Sequence, residues 1–163
     1  MQLMIRACGP EDLDAACALW NAAVEAGNAF PREERLTPET GADFFRSRSF
    51  AGLACDAGAG EAVGVYVLQP HRTGRCGHIA EAWYAVKNEA RGQRVGEQLV
   101  LDSMGRAKAG GFRILQPGPV LAANTPAVKL YRKLGFRQLG VLPGGFRLPD
   151  GSYADLIQFY IVL

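Results

Sequence analysis

The sequence feature that most constrains the fold is the turn at residues 91–96 (RGQRVG), between the apolar run 82–86 and a helical pattern that reaches about Lys108. The first N–H groups of a helix have no partner within the helix, and the helix dipole adds partial positive charge at that end. A phosphate group can bind to those donors. The turn therefore predicts a site for a phosphorylated cofactor, with its diphosphate on the amides of residues 92–97.

Length and composition are those of one globular domain over residues 1–163, of which 48% are hydrophobic and 21% charged. The formal net charge of +2 gives no argument for nucleic acid or an anionic membrane as a partner. No apolar run reaches the roughly 18 residues of a transmembrane helix, and the N-terminus lacks the pattern of a signal peptide. The cysteines show no metal-ligand spacing, so we expect a cytoplasmic protein with reduced thiols and no metal.

The hydrophobic periodicity predicts a mixture of strands and helices. Strands are predicted at residues 3–7, 49–55, 62–68, 77–86, 112–115, 136–142 and 153–162. Helices are predicted to begin at Pro10, after Thr37, at Arg94 and at Thr125. The order is therefore a strand, two helices, three strands, a helix, a strand, a helix and two strands.

This order, together with two sequence segments, resembles the GCN5-related N-acetyltransferase superfamily. Residues 86–96 are similar to its acetyl-CoA pyrophosphate signature, which reads Gln or Arg, two residues, Gly, one residue, then Gly or Ala. Residues 124–136 are similar to its second cofactor motif, and segments 81–86 and 145–155 look most like phosphinothricin-type and small-amine acetyltransferases. The resemblance implies an α/β (α+β) fold in which about four helices flank a mixed sheet of about seven strands.

The resemblance also implies where acetyl-CoA binds. The diphosphate is expected on the turn, at Arg91, Gly92, Gln93, Arg94, Val95, Gly96 and Glu97. The pantetheine arm is expected on the backbone of Tyr84 and Val86, in a strand that a bulge separates from its neighbour, and on Asn124. Asn124 could instead be a turn residue.

Arg94 stands where the family signature has its first glycine. We expect ordinary helical backbone there, with the guanidinium free to pair with a phosphate. The alternative is a positive φ, which would cost arginine about 1–2 kcal/mol.

Two residues are candidates for proton transfer. Glu81 lies five residues before Val86, as in phosphinothricin-type enzymes, and is the predicted general base that takes the proton of the acceptor amine. Tyr131, in the second motif, is the predicted general acid for the departing thiolate. The alternatives are an outward-facing strand glutamate and a core aromatic residue.

The other polar and aromatic candidates are weaker. His71 and His78 are interpreted as surface residues, with His78 as a reserve base. Trp20 and Trp83 are interpreted as core residues, although one could line the acceptor pocket. The loop between the first two helices carries further candidates, of which an arginine could bind a substrate carboxylate: Phe30, Arg32 and Arg35.

The sequence thus predicts an N-acetyltransferase that transfers the acetyl group of acetyl-CoA directly to the primary amine of a small molecule or amino-acid analogue. Protein N-termini and ribosomal proteins are the alternative acceptors, and a non-catalytic acetyl-CoA sensor is a further alternative. A homodimer is also considered, with its edge supplied by the long C-terminal hairpin, which ends at residues 159–163.

Overall fold

The computed structural model describes all residues from Met1 to Leu163 and contains a single eight-stranded sheet with four α-helices. The helices are α1 (Leu13–Ala26), α2 (Pro38–Arg46), α3 (Val95–Ala109) and α4 (Thr125–Lys133). The strands are β1 (Leu3–Ala7), β2 (Phe50–Asp56), β3 (Glu61–Pro70), β4 (Ile79–Val86), β5 (Ile114–Pro117), β6 (Val120–Leu121), β7 (Arg137–Arg147) and β8 (Tyr153–Val162).

The predicted order of elements is confirmed, and the differences lie at element ends. The short strand β6 was not predicted because two residues carry no readable period. Strand β7 continues past the predicted end at Leu142, because its Pro-Gly-Gly segment forms a bulge instead of a turn. In this bulge the Gly144 N–H donates to Asp155 Oδ1 at 2.9 Å.

The sheet runs in the order β1-β2-β3-β4-β5-β8, with β6 beside β8 on the same edge as β5 and β7 on its other edge. All pairs are antiparallel except β4 and β5, which are parallel. A parallel pair needs a crossover connection, and α3 supplies it.

The parallel pair separates halfway along its length. Residues Ile79–Ala82 pair with Ile114–Pro117, and the Gly118 N–H donates to the Ala82 carbonyl at 2.9 Å. Beyond that bond β6 pairs only with β8. Gly118 is required at this point, because a Cβ there would overlap the indole ring of Trp83. The result is an opening between the second half of β4 and the chain that leaves it.

Each face of the sheet has its own hydrophobic core. One core packs α1 and α2 against the sheet through Trp20, Val24, Phe44 and Phe45. The other packs α3 and α4 against the opposite face through Val95, Leu99, Val128 and Tyr131. Successive side chains of a strand point to opposite faces, so β4 directs Glu81 and Trp83 toward α1 and α2 and directs Tyr84 and Val86 toward α3 and α4.

Of the two strands of the C-terminal hairpin considered as a dimer edge, β8 lies inside the sheet, with neighbours on both sides. The exposed edge strand at this end is β7, with the apolar residues Leu139, Val141 and Leu142 about half or more exposed. The homodimer itself stays a prediction. No helix has both the length and the hydropathy that crossing a membrane requires.

Candidate active site

The turn before α3 carries a group of unused backbone donors. Gly92 and Arg94 both have left-handed backbone, with φ of 77° and 65°, and alternation of this kind directs successive N–H groups outward as an anion-binding concavity. The N–H groups without an acceptor in the chain are those of Gly92, Arg94, Val95, Gly96 and Glu97. The Gln93 N–H is not free, because it donates to the Ala90 carbonyl at 3.4 Å, and the Arg91 N–H donates to Asn88.

The prediction of ordinary helical backbone at Arg94 is wrong. This residue is the N-cap of α3 and the only non-glycine residue with positive φ, a conformation that costs about 1–2 kcal/mol. The guanidinium is not free either, since it donates to the Glu97 carboxylate at 3.0 Å.

Glu97 holds two cations at the start of α3. Its carboxylate accepts from Arg94 and from Lys133 Nζ, the latter at 2.8 Å, and so ties the end of α4 to the turn. These hydrogen bonds, first that of Arg94 and then that of Lys133, lower the pKa of Glu97 to about 2. The turn therefore presents backbone donors, while the negative charge of Glu97 is balanced by Arg94 and Lys133.

The free edge of β4 presents the backbone of Tyr84 and Val86. Two hydrogen bonds show which residues of β4 direct their backbone groups toward β3. The His71 N–H donates to the Ile79 carbonyl at 2.8 Å, and the Lys87 N–H donates to the Val63 carbonyl at 2.9 Å. Odd-numbered residues of β4 therefore bond to β3, while even-numbered ones face the opening. The register with β3 has no shift, so the opening arises from the departure of β5 and not from a bulge in this pairing.

Tyr84 and Asn124, both expected beside the pantetheine arm, have side chains with defined contacts in the protein. The Tyr84 hydroxyl lies 2.7 Å from Ser103 Oγ of α3. Asn124 is the N-cap of α4, which begins at Thr125 as predicted, and its Oδ1 accepts from the Ala127 N–H at 3.3 Å. The cap leaves the Asn124 amide NH₂ group without a partner in the protein.

Tyr131 is both a core residue and a candidate proton donor. Its ring packs against Phe136 and Phe159, with centroid distances of 5.1 and 5.4 Å. Burial, and secondarily Tyr84, raises the pKa of Tyr131 well above its ordinary value. Its hydroxyl has no hydrogen bond to the protein, yet is not among the fully enclosed polar atoms. The phenol is therefore protonated near neutral pH and open to a ligand.

Glu81 lies in a hydrogen-bonded network on the other face of the sheet. Its side chain is only 17% exposed, which rules out the outward-facing alternative. Gln69, its cross-strand partner, donates from Nε2 to Glu81 Oε2 at 3.0 Å, and Arg48 donates to Gln69 Oε1. His71 Nδ1 lies 3.5 Å from Glu81 Oε1. Arg48 thus orients the amide of Gln69 so that its NH₂ group faces the carboxylate.

The Glu81 carboxylate borders a cavity of about 160 Å³ between the sheet, α1 and α2. The lining consists of aromatic and charged side chains, one neutral amide and two smaller apolar residues: Trp20, Phe30, Pro31, Arg32, Phe44, Arg48, Val67, Gln69, Glu81 and Trp83. Both tryptophans that the sequence left between core and pocket therefore line it. Arg35 instead pairs with Glu25.

The cavity carries positive charge without a carboxylate partner. Arg48 and Arg32 lie over the ring of Phe44, at 4.1 and 5.0 Å from its centroid, and neither forms an ion pair within the chain. Burial, and secondarily Arg32, lowers the pKa of Arg48. The Trp20 Nε1–H group is buried without an acceptor. The two guanidinium groups without ion pairs and the buried indole N–H without an acceptor therefore favour an anionic or oxygen-rich ligand.

Sequence reasoning did not find Arg48 or Gln69, and it interpreted His71 as a surface residue. The usable signal was the register of the β3–β4 hairpin, which places Gln69 opposite Glu81 and His71 two residues further on the same face. The contribution of Arg48 comes from packing between α2 and β3, which has no local signature.

Comparison with known proteins defines the family. The profile of the acetyltransferase (GNAT) family matches residues 16–136, which is most of the chain. The chain therefore belongs to this family, and the predicted fold and superfamily are confirmed. It is an acetyltransferase that uses acetyl-CoA.

Three similar proteins illustrate the relationship. The L-methionine sulfoximine/L-methionine sulfone acetyltransferase of Pseudomonas aeruginosa is 30% identical over 88% of this chain and 85% of that enzyme. A GCN5-related N-acetyltransferase from Kribbella flavida is 32% identical, with a TM-score of 0.90 over 99% of this chain and 98% of that chain. The fold also matches a phosphinothricin acetyltransferase from Sinorhizobium meliloti in complex with acetyl-CoA, 23% identical, with a TM-score of 0.91 over 100% and 89% of the two chains.

Proposed function

We propose that the protein transfers the acetyl group of acetyl-CoA to the primary amine of a small molecule that also carries an anionic group, such as an amino-acid analogue. The observation that carries this proposal is the pair Arg32 and Arg48, which lack carboxylate partners in the same cavity that Glu81 borders. An acceptor with a carboxylate toward the arginines and an amine toward Glu81 would satisfy both ends.

The donor would bind on the opposite face of the sheet. Its diphosphate would accept hydrogen bonds from the free N–H groups of Gly92 and residues 94–97. Its pantetheine arm would pair with the backbone of Tyr84 and Val86, and its thioester would reach the opening between β4 and β6. This opening is the one place where a ligand from the α3–α4 face could meet a ligand from the α1–α2 face.

The two candidate proton-transfer residues have complementary roles. Glu81 takes a proton from the ammonium form of the acceptor, so that the neutral amine can attack the thioester carbonyl. As the C–N bond forms and the C–S bond breaks, Tyr131 donates its proton or a hydrogen bond to the leaving thiolate. Holding both reactants at one opening supplies much of the rate enhancement.

The size and chemistry of the cavity favour a small acceptor over a protein. Drug-sized ligands occupy sites of about 300–1,000 Å³, and this cavity measures about 160 Å³. The relative from Pseudomonas aeruginosa, whose name specifies amino-acid analogues as substrates, supports the same acceptor class. A protein N-terminus and a non-catalytic sensor remain outcomes of the test.

The test is acetyl-CoA-dependent thiol release with methionine sulfoximine, its carboxyl methyl ester and an alanine-terminated peptide as acceptors. We expect turnover of the free acid and at least tenfold lower kcat/KM for the ester, because the ester cannot pair with the arginines. Turnover of the peptide alone would identify a protein acceptor. Binding of acetyl-CoA without thiol release from any acceptor would favour the sensor.

Arg32 offers a matched test of the anion site. In the R32Q variant we expect the KM of the acid to rise about tenfold while the KM of acetyl-CoA stays unchanged. R35Q is the control, since Arg35 lies in the same loop but pairs with Glu25 outside the cavity. Equal kinetics for R32Q and R35Q would show that Arg32 does not take part in acceptor binding.

A further inference from the structure

His71 has one ring nitrogen buried beside the candidate base. Its Nδ1 atom is enclosed, has no hydrogen-bond partner in the protein, and lies 3.5 Å from Glu81 Oε1. Buried polar atoms without a partner are uncommon, and each asks for an explanation. Hydrogen bonds between catalytic groups are often long in the absence of substrate, so the distance is compatible with a partner that tightens during the reaction.

The fold holds His71 in this place from two sides. Its backbone N–H donates to the Ile79 carbonyl at 2.8 Å, two residues before Glu81. Gln69, two residues before it on the same face, already occupies Glu81 Oε2. The imidazole is therefore directed to Oε1, the other carboxylate oxygen.

The other side of the imidazole ring faces outward. The side chain of His71 is 24% exposed, and Nε2 is neither hydrogen-bonded nor among the enclosed atoms without a partner. The ring thus lies between the surrounding solvent and the carboxylate of Glu81, whose side chain is only 17% exposed.

Each acetyl transfer leaves a proton that must be removed from Glu81 before the next turnover. The charged groups around Glu81 are Arg48 on the α2–β2 side and Arg32 in the α1–α2 loop, and neither can accept a proton. Gln69 cannot accept one either, because amides do not titrate at neutral pH. His71 is the only neighbour of the carboxylate that can.

We propose that His71 is the positioning and proton-relay residue that returns Glu81 to its ionised form. The acceptor ammonium gives a proton to Glu81, the protonated carboxyl passes it to neutral His71 at Nδ1, and the resulting imidazolium loses a proton from Nε2 to water. Rotation of the ring about its Cβ–Cγ bond then brings the Nδ1–H group to solvent, where water takes that proton while another water protonates Nε2, and the ring rotates back with Nδ1 free. The proposal rests on the function proposed above and adds the exit path of the proton.

The test uses the full chain with acetyl-CoA, a turned-over acceptor and three variants: H71A, H71N and H78A. The control H78A removes the only other histidine, which is exposed near the start of β4. We expect H71A and H71N to lower kcat about tenfold with the acceptor KM nearly unchanged, while H78A behaves as the wild type. Added imidazole should restore most of the activity of H71A, because it can carry the proton instead, and should not stimulate the wild type.

Asparagine separates relay from simple positioning. Its amide can donate a hydrogen bond to Glu81 but cannot carry a proton, so wild-type activity in H71N would overturn the relay. A loss in H71A that imidazole does not restore would overturn it as well. If H71A fails to fold, the kcat of H71N relative to H78A decides the question. Absence of thiol release from the wild type would instead refute the proposed function, so the two failures are distinguishable.

Discussion

In the function proposed above, the donor and acceptor sides of the sheet would bind their ligands with different parts of the chain. On the α3–α4 face most of the candidate groups are backbone N–H and C=O groups, contributed by one turn and one strand edge that are adjacent in sequence. The side-chain candidates there are the Asn124 amide and the Tyr131 hydroxyl. On the α1–α2 face the candidate groups are side chains from α1, the α1–α2 loop, α2, β3 and β4. A backbone site needs only the correct conformation of a short segment, whereas a side-chain site needs the whole packing of two helices on a sheet.

This difference explains why the donor site tolerates an unusual sequence. Arg94 replaces the glycine of the family signature, yet the turn adopts left-handed backbone there, and the guanidinium pairs with the Glu97 carboxylate. The acceptor side has no such tolerance, because Arg48, Gln69 and Glu81 form a chain in which each member orients the next.

The largest effect is expected from removing the base on the acceptor side. In the E81Q variant the amide cannot take the ammonium proton, so kcat should fall by about 100- to 1,000-fold at neutral pH. Acetyl-CoA affinity, measured by isothermal titration, should be unchanged because Glu81 lies on the opposite face. A kcat within threefold of the wild type would show that another group is the base.

The next largest effect is expected from changing the backbone of the donor turn. In R94P the ring fixes φ near −65° and removes an N–H group, so acetyl-CoA affinity should fall by about 100-fold or more. R94G is the matched control, since glycine keeps both the N–H and the positive φ, and its affinity should stay within about threefold of the wild type. A large loss in R94G would mean that the guanidinium and not the backbone binds the donor.

A smaller effect is expected at Tyr131. The Y131F variant should lower kcat by about tenfold without changing acceptor KM. Because the pKa of Tyr131 is raised above its ordinary value, the phenol stays protonated through the assay range, and the wild type should lose no activity from its ionisation up to about pH 10. A wild-type rate that falls with the ionisation of this phenol below pH 9 would contradict the assignment.

The smallest effect concerns stability. The pKa of Glu97 is lowered from its ordinary 4.5 to about 2 in the folded protein. Its stabilisation is therefore fully present above about pH 4.5 and is lost as the pH falls toward 2. In E97Q the melting temperature should drop by a few degrees at pH 7 and depend less on pH between 5 and 2. If the melting temperatures of wild type and E97Q changed by the same amount between pH 5 and 2, the ion pairs of Glu97 would contribute nothing to this pH dependence.

The same contrast determines how much the sequence could predict. Most of the strands, the helix after the turn and the donor amides of residues 92–97, all of which are free except that of Gln93, follow from local patterns, because helix starts and turns are encoded within a few residues. Three details required the fold: the positive φ of Arg94, the departure of β5 at Gly118, and the partners of Glu81. The partners of Glu81 depend on strand register, which could have indicated Gln69, and on packing of a helix that is distant in sequence, so Arg48 carried no local signal.

The central claim is that the two substrates meet at the opening between β4 and β6 from opposite faces of the sheet. A crystal structure with acetyl-CoA tests it most directly. We predict the diphosphate on the N–H groups of Gly92 and residues 94–97, the pantetheine arm on the backbone of Tyr84 and Val86, and the thioester between Tyr131 and Glu81. A cofactor bound elsewhere, or a thioester that does not enter the opening, would contradict the account.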